Sequence, residues 1–152
     1  MNVLCMEEKT HGFATNEVVD LYRYLCVYET ELDHIGNQGN LEKAYPELKK
    51  IKEFMSNFVC KTCTIDSLKV KGYVPEDNHV SMTKCKSSKT LSFLHHLRNA
   101  IAHGQIKQEN GFVHLIDYGK KNNTKVLSAR GKIKSSTLFK ITNIINENIV
   151  LS

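Results

Sequence analysis

Residues 91–104 read LSFLHHLRNAIAHG, and a little further on residues 111–118 read GFVHLIDY. The first stretch carries the helical period. At about 100° per residue Phe93, Leu94, Leu97 and Ile101 share one broad arc, while His96, Asn99 and His103, spaced i, i+3 and i+7, form a stripe almost opposite. Ser87 or Ser88 caps this helix, which spans Lys89 to about Ala102 and stops near Gly104. The second stretch carries a strand signal. With the polar turn at residues 120–124 and the run from Val126 to Lys134, it predicts a β-hairpin.

Upstream, Val18, Leu21, Tyr22, Leu25, Leu32 and Ile35 recur at helical spacing after Thr15 or Asn16 as N-cap. Gly36 to Gly39 end that helix. A second helix begins at Leu41 or Pro46 and runs to Val59, with Tyr45, Leu48, Ile51, Met55 and Phe58 on one face. Residues 61–88 read as a loop with at most one short element. After the hairpin, Ser135 or Ser136 caps a last helix with Leu138, Ile141, Ile144, Ile145 and Ile149 as its stripe.

The expected fold is therefore mainly α, a bundle of about four to five helices with a small β-hairpin inserted before the C-terminal helix. It is read as a single domain over 1–152: an N-terminal arm (1–13), two helices (14–60), a loop (61–88), the helix at 89–104, the hairpin (111–134) and a closing helix (136–150). A chain of 152 residues suits one core.

Two features of composition narrow the function classes. No apolar run approaches the roughly 18–20 residues of a membrane span, and the first residues have no basic region followed by an apolar one, so a soluble cytoplasmic protein without a membrane partner is expected. Five cysteines, an odd number at low density, read as ordinary thiols of a reducing compartment. The net charge of +5 is unevenly placed. Residues 1–83 hold nine basic and thirteen acidic residues, whereas residues 84–140 hold twelve basic and two acidic. A basic half of this kind either neutralises its acidic neighbour or faces an anion such as nucleic acid.

Individual positions sharpen this. Arg98 projects at the edge of the apolar arc of its helix, where a guanidinium must snorkel or find a carboxylate. The first helix supplies one: its wheel puts Glu29 near the centre of its own apolar face and Asp33 on the flank, and either can hold Arg98. Lys120, Lys121, Lys125, Arg130, Lys132 and Lys134, with no acid among them, are the expected RNA-backbone contacts of the hairpin, if they do more than protect a strand edge. No metal site is expected: Cys60 and Cys63, with Cys85 and His79 nearby, lack the second well-spaced pair of a structural zinc site, and His95 and His96 point in different directions. Nor is there a Gly-rich phosphate loop or a nucleophile elbow.

The string Arg98-Asn99-Ala100-Ile101-Ala102-His103 resembles the R-x4-6-H motif of the HEPN superfamily, in its Arg-polar-x3-His form. Its surroundings, Phe93 to Gly104, are similar to the small stand-alone HEPN ribonucleases of plasmids and bacterial defence loci. The resemblance implies a metal-independent endoribonuclease, without cofactor, that leaves a 2′,3′-cyclic phosphate and works as a homodimer through the motif helix. It further implies a toxin or phage-defence effector restrained by an antitoxin or inhibitor protein. His103 would be the general acid/base, Arg98 the phosphate clamp and Asn99 the group that orients the imidazole or touches the phosphate, with His96 on the same stripe. Residues five apart on a regular helix diverge by about 140°, so Arg98 and His103 converge only if the helix loosens or the twofold axis combines them. The alternatives are a non-catalytic module binding RNA, a nucleotide or a protein through the same residues, or a helical interaction protein in which Arg98 and His103 are a core pair and a cap.

Overall fold

The computed structural model describes residues 11–68 and 75–151. Most of the arm expected over 1–13 lies outside them. Helix α1 (Thr15–Val27) continues without a break into a π-turn, Tyr28–Leu32. Next come α2 (Gln38–Ala44), a 3-10 turn at Pro46–Lys49, α3 (Lys50–Met55), strand β1 (Val59–Thr62), α4 (Ile65–Leu68) and β2 (His79–Met82). The chain closes with α5 (Lys89–Ala102), β3 (Ile106–Glu109), β4 (Phe112–Lys121), β5 (Thr124–Lys134) and α6 (Ser135–Asn148).

The mainly α bundle expected from the sequence is overturned. The strands join into one five-stranded mixed sheet in the order β1-β2-β5-β4-β3, so the fold is α/β. The physical reason is strand length. β4 and β5 have 10 and 11 residues and were legible as a hairpin, whereas β1, β2 and β3 have four each, too few for a period-2 pattern to show. β1 and β2 pair in parallel and the other neighbours antiparallel, so residues 61–88 hold the crossover rather than a plain loop.

Local chemistry sets both hairpins. Asn122 and Asn123 have φ of 52° and 63°, and Asn110 and Gly111 have 53° and 81°, the positive values that two-residue turns between right-twisted strands require. β5 also passes tightly under β2: a Cβ on Gly131 would lie 2.6 Å from Val80 Cγ2 and 2.8 Å from the His79 carbonyl oxygen. Between Asp117 and Tyr118 of β4 the register shifts, leaving Ser128 of β5 as the extra residue of a bulge.

One face of the sheet packs on the helices. Val113, Leu115, Ala129 and Ile133 from the strands meet Phe93, Leu97 and Ala100 from α5 and Leu138, Ile141 and Ile145 from α6 in one core. Helix α5 is held between the sheet and the α1 layer, where the buried Tyr24 hydroxyl donates to the Leu94 carbonyl. The helix is consequently buried on two sides. Past its first turn, the residues that keep some exposure are His95, Arg98, Asn99 and Ala102.

Candidate functional site

That exposed stripe is polar, and a connected set of hydrogen bonds runs through it. Ser88 Oγ caps α5 by accepting from the Leu91 N–H (3.1 Å), and the helix ends with His103 as C-cap and Gly104 in the left-handed region, φ 65°. Arg98 reaches across to the π-turn. Its Nε donates to Glu29 Oε1 (3.1 Å), its Nη2 donates to the same oxygen, and its Nη1 donates to Asn99 Oδ1 (2.8 Å). Of the two acids proposed from the sequence, Glu29 is thus the partner; Asp33 instead faces Lys86 at 3.7 Å. The widened turn carries Tyr28 and Leu32 into the core while Glu29 remains half-exposed over Arg98.

Asn99 joins Arg98 to the sheet. Because arginine only donates and a carboxylate only accepts, the amide orientation is fixed: Oδ1 takes the Arg98 bond, and Nδ2 donates to Asp117 Oδ2 (3.1 Å) and His95 Nε2 (3.3 Å). His95 must then carry its proton on Nδ1, which donates to the Tyr28 oxygen (3.2 Å). Burial, followed by the positive charge of Lys86 and of the neighbouring His96, holds the His95 imidazole below its ordinary pKa. Burial likewise pushes the Tyr28 phenol up.

His96 lies on the opposite, sheet-facing side of the helix and is 2% exposed. Its Nδ1 lies 2.7 Å from Asp117 Oδ2 and its Nε2 2.8 Å from the Thr83 carbonyl, with Cys85 Sγ at 3.5 Å. Both neighbours of the ring are acceptors, so both nitrogens carry protons and the group is an imidazolium. Burial opposes that charge, but the bonds to Asp117, Cys85 and Thr83 outweigh it and raise the pKa to about 10. Burial raises and His96 and Asn99 more strongly lower the Asp117 pKa, so the carboxyl stays ionised. Asp117 Oδ1 is buried without a partner among the described residues.

The structure therefore divides the residues singled out in the sequence. Glu29, Arg98 and Asn99 come together, and His96 joins them through Asp117. His103 stands apart: it is exposed at the helix end, one turn after Asn99, and its backbone N–H donates to the Asn99 carbonyl (3.0 Å). The stripe read as lying away from the core holds a buried histidine, because the sheet covers that side. Sequence reasoning missed His95, Tyr28 and Asp117. The one available signal was Asp117, an acid within an otherwise apolar run, GFVHLIDY.

The basic residues of the hairpin sit elsewhere. Cross-strand pairing puts Lys120 opposite Lys125, Arg130 opposite Ile116, Lys132 opposite His114 and Lys134 opposite Phe112, on the sheet face turned away from α5, with Lys121 at the tip. Lys132 also pairs with Asp77 at 2.7 Å. The sheet lies between these cations and Arg98.

Cys60 and Cys63 are partly buried against β2, whereas Cys26 and Cys85 are exposed. Cys60 Sγ touches Met82 Sδ, Cys63 Sγ donates to the Met82 carbonyl, and His79 bonds the Asp77 carbonyl. Among the described residues no group of three or more His, Cys, Asp or Glu side chains is placed to hold a metal ion, and no helix is long and apolar enough to cross a membrane. Comparison of the chain with protein-family models, with curated proteins and with solved structures finds no significant match.

Proposed function

We propose that the protein is a metal-independent endoribonuclease of the cytoplasm that cleaves RNA by attack of a 2′-hydroxyl, leaving a 2′,3′-cyclic phosphate and a 5′-hydroxyl. One observation carries the reading: past its first turn, the exposed stripe of an otherwise buried helix consists of His95, Arg98, Asn99 and Ala102, ending at the exposed His103. A solvent-facing guanidinium held in place by side-chain hydrogen bonds, about one turn before an exposed imidazole, suits contact with a phosphodiester.

The chemistry needs three things. The 2′-OH proton leaves as its oxygen bonds to phosphorus, the phosphorane oxygens gain negative charge, and the P–O5′ bond breaks as O5′ takes a proton. Arg98 serves the second. Three of its N–H groups already have acceptors, which fix the guanidinium plane, and the remaining ones can grip a phosphate oxygen. Asn99 keeps that plane in place. His103 serves the proton transfers, and a homodimer through the motif-helix stripe supplies two of each group to one cleft. A toxin or phage-defence effector held by an inhibitor protein is the setting that the motif's resemblance to HEPN ribonucleases supports.

The ion pair between Glu29 and Arg98 favours a second reading, a non-catalytic module, because it neutralises the charge that would grip the phosphate. The two readings separate in cells. Induction of the wild type, compared with His103→Ala, is expected to arrest growth and yield new 2′,3′-cyclic phosphate ends that the variant does not produce. Absence of both effects, with the protein free of any inhibitor, leaves the module.

A further inference from the structure

Three recesses on the surface adjoin one another through shared lining residues and form a groove that runs by the C-terminal end of α5. The first, of about 410 Å³, lies on the outer sheet face among Tyr118, Leu127, Ile116 and Arg130. It shares Lys107, His114 and Ile116 with a second of about 140 Å³ at the β3 edge. The second shares His11, Gly104 and Ile106 with a third of about 230 Å³, lined by Phe13, Tyr22, Ile101 and Ala102. Ala102 and Gly104 flank His103 in the chain, so the groove passes the end of the motif helix.

We propose that this groove is a binding track for single-stranded RNA, deepening the ribonuclease reading on which it rests by naming the form of the substrate. Its chemistry fits that occupant over a peptide or a duplex. None of the residues lining the three recesses is acidic, while Lys107, paired with Glu109 at 3.6 Å, and Arg130 line them. Lys125 stands 4.3 Å from the centre of the Tyr118 ring, adding a cation at the far end. Two tyrosines, Tyr22 (61% exposed) and Tyr118 (38% exposed), stand at the two ends with the imidazoles of His11 and His114 between them. Flat rings at intervals along a basic groove stack unpaired bases, and recesses of this size receive bases that a duplex keeps hidden inside its stack. Burial, with Lys107 and Lys132 beside it, holds the His114 imidazole below its ordinary pKa, so near neutral pH it offers an uncharged face.

The groove is tested by fluorescence anisotropy with a short 2′-O-methyl oligoribonucleotide, which lacks the attacking hydroxyl and cannot be cut, and with its duplex. Wild-type protein is expected to bind the single strand about tenfold more tightly than the duplex. Lys107→Glu, Tyr118→Ala and Tyr22→Ala, at side chains exposed enough to spare the fold as checked by melting, are each expected to weaken binding about fivefold or more. Lys50→Glu, an exposed lysine paired with Glu47 in the acidic half, is the control and leaves it unchanged. Equal affinity for the two nucleic acids, or unchanged binding by the groove variants, overturns the proposal. An Arg98→Ala protein assayed alongside keeps the two readings distinct: strand binding by the groove with no cleavage of ordinary RNA by the wild type rejects the enzyme and keeps the track. Cleavage that persists undiminished in all three groove variants rejects the track and keeps the enzyme.

Discussion

At the residue scale the determining feature is a buried carboxylate shared by two side chains of one helix. Asp117 Oδ2 accepts from His96 and Asn99, so one acid on β4 fixes both the core side and the solvent side of α5. Asp117→Asn leaves the His96 imidazolium without its counter-charge and is expected to cost about 3–5 kcal/mol in urea unfolding. The pair also sets a pH dependence. The folded pKa of His96, about 10, lies above its unfolded value, so its stabilisation is complete below about pH 6.5 and is lost as pH rises through 10. Asp117, held below its ordinary value, contributes above about pH 4 and loses its contribution as pH falls through its lowered folded pKa. Melting temperature is therefore expected to decline from neutral pH toward pH 10, and His96→Gln to flatten that decline; an equally steep decline in the variant contradicts the assignment. Glu29→Ala is a milder change. The ion pair is partly exposed, so stability is expected to change by less than about 1 kcal/mol, while cleavage falls about tenfold because Arg98 keeps only its bond to Asn99.

At the scale of elements, long segments were legible and short ones were not. α1, α5, α6 and the β4–β5 hairpin carry enough residues for their period to show. β3 does not, and the one local signal of its hairpin with β4 is the dipeptide Asn110-Gly111. The orientation of α5 was misread for a related reason. A wheel assumes one buried face, but LSFL at residues 91–94 is a run with hardly a polar break, and such a run marks a helix covered on two sides. Placing His96 with the exposed residues followed directly from that assumption. The charged pair between the π-turn and α5 was legible, because charges of opposite sign on two apolar faces have few other ways to be satisfied. Close strand packing yields its own test: Gly131→Ala drives a methyl group into Val80 and the His79 carbonyl and is expected to cost about 1–3 kcal/mol, measured by thermal or urea unfolding.

At the scale of the whole molecule the charge asymmetry of the chain takes a spatial form. Much of the basic half forms the outer sheet face and the hairpin tip, on the side away from Arg98, and the recesses around the β3 edge run from that face to the end of α5 at Ala102 and Gly104. RNA binding is accordingly expected to weaken steeply with added salt, and light scattering is expected to find a dimer that His95→Glu, on the exposed stripe of α5, disrupts. The central claim concerns the chemistry of the motif helix. Purified wild-type protein, Arg98→Ala and His103→Ala, incubated with end-labelled RNA in excess chelator, test it most directly through the ends of the products. The account predicts cleavage by the wild type with 2′,3′-cyclic phosphate ends and a loss of at least a hundredfold in each variant. Intact RNA with the wild type, or cleavage that survives both substitutions, would contradict it.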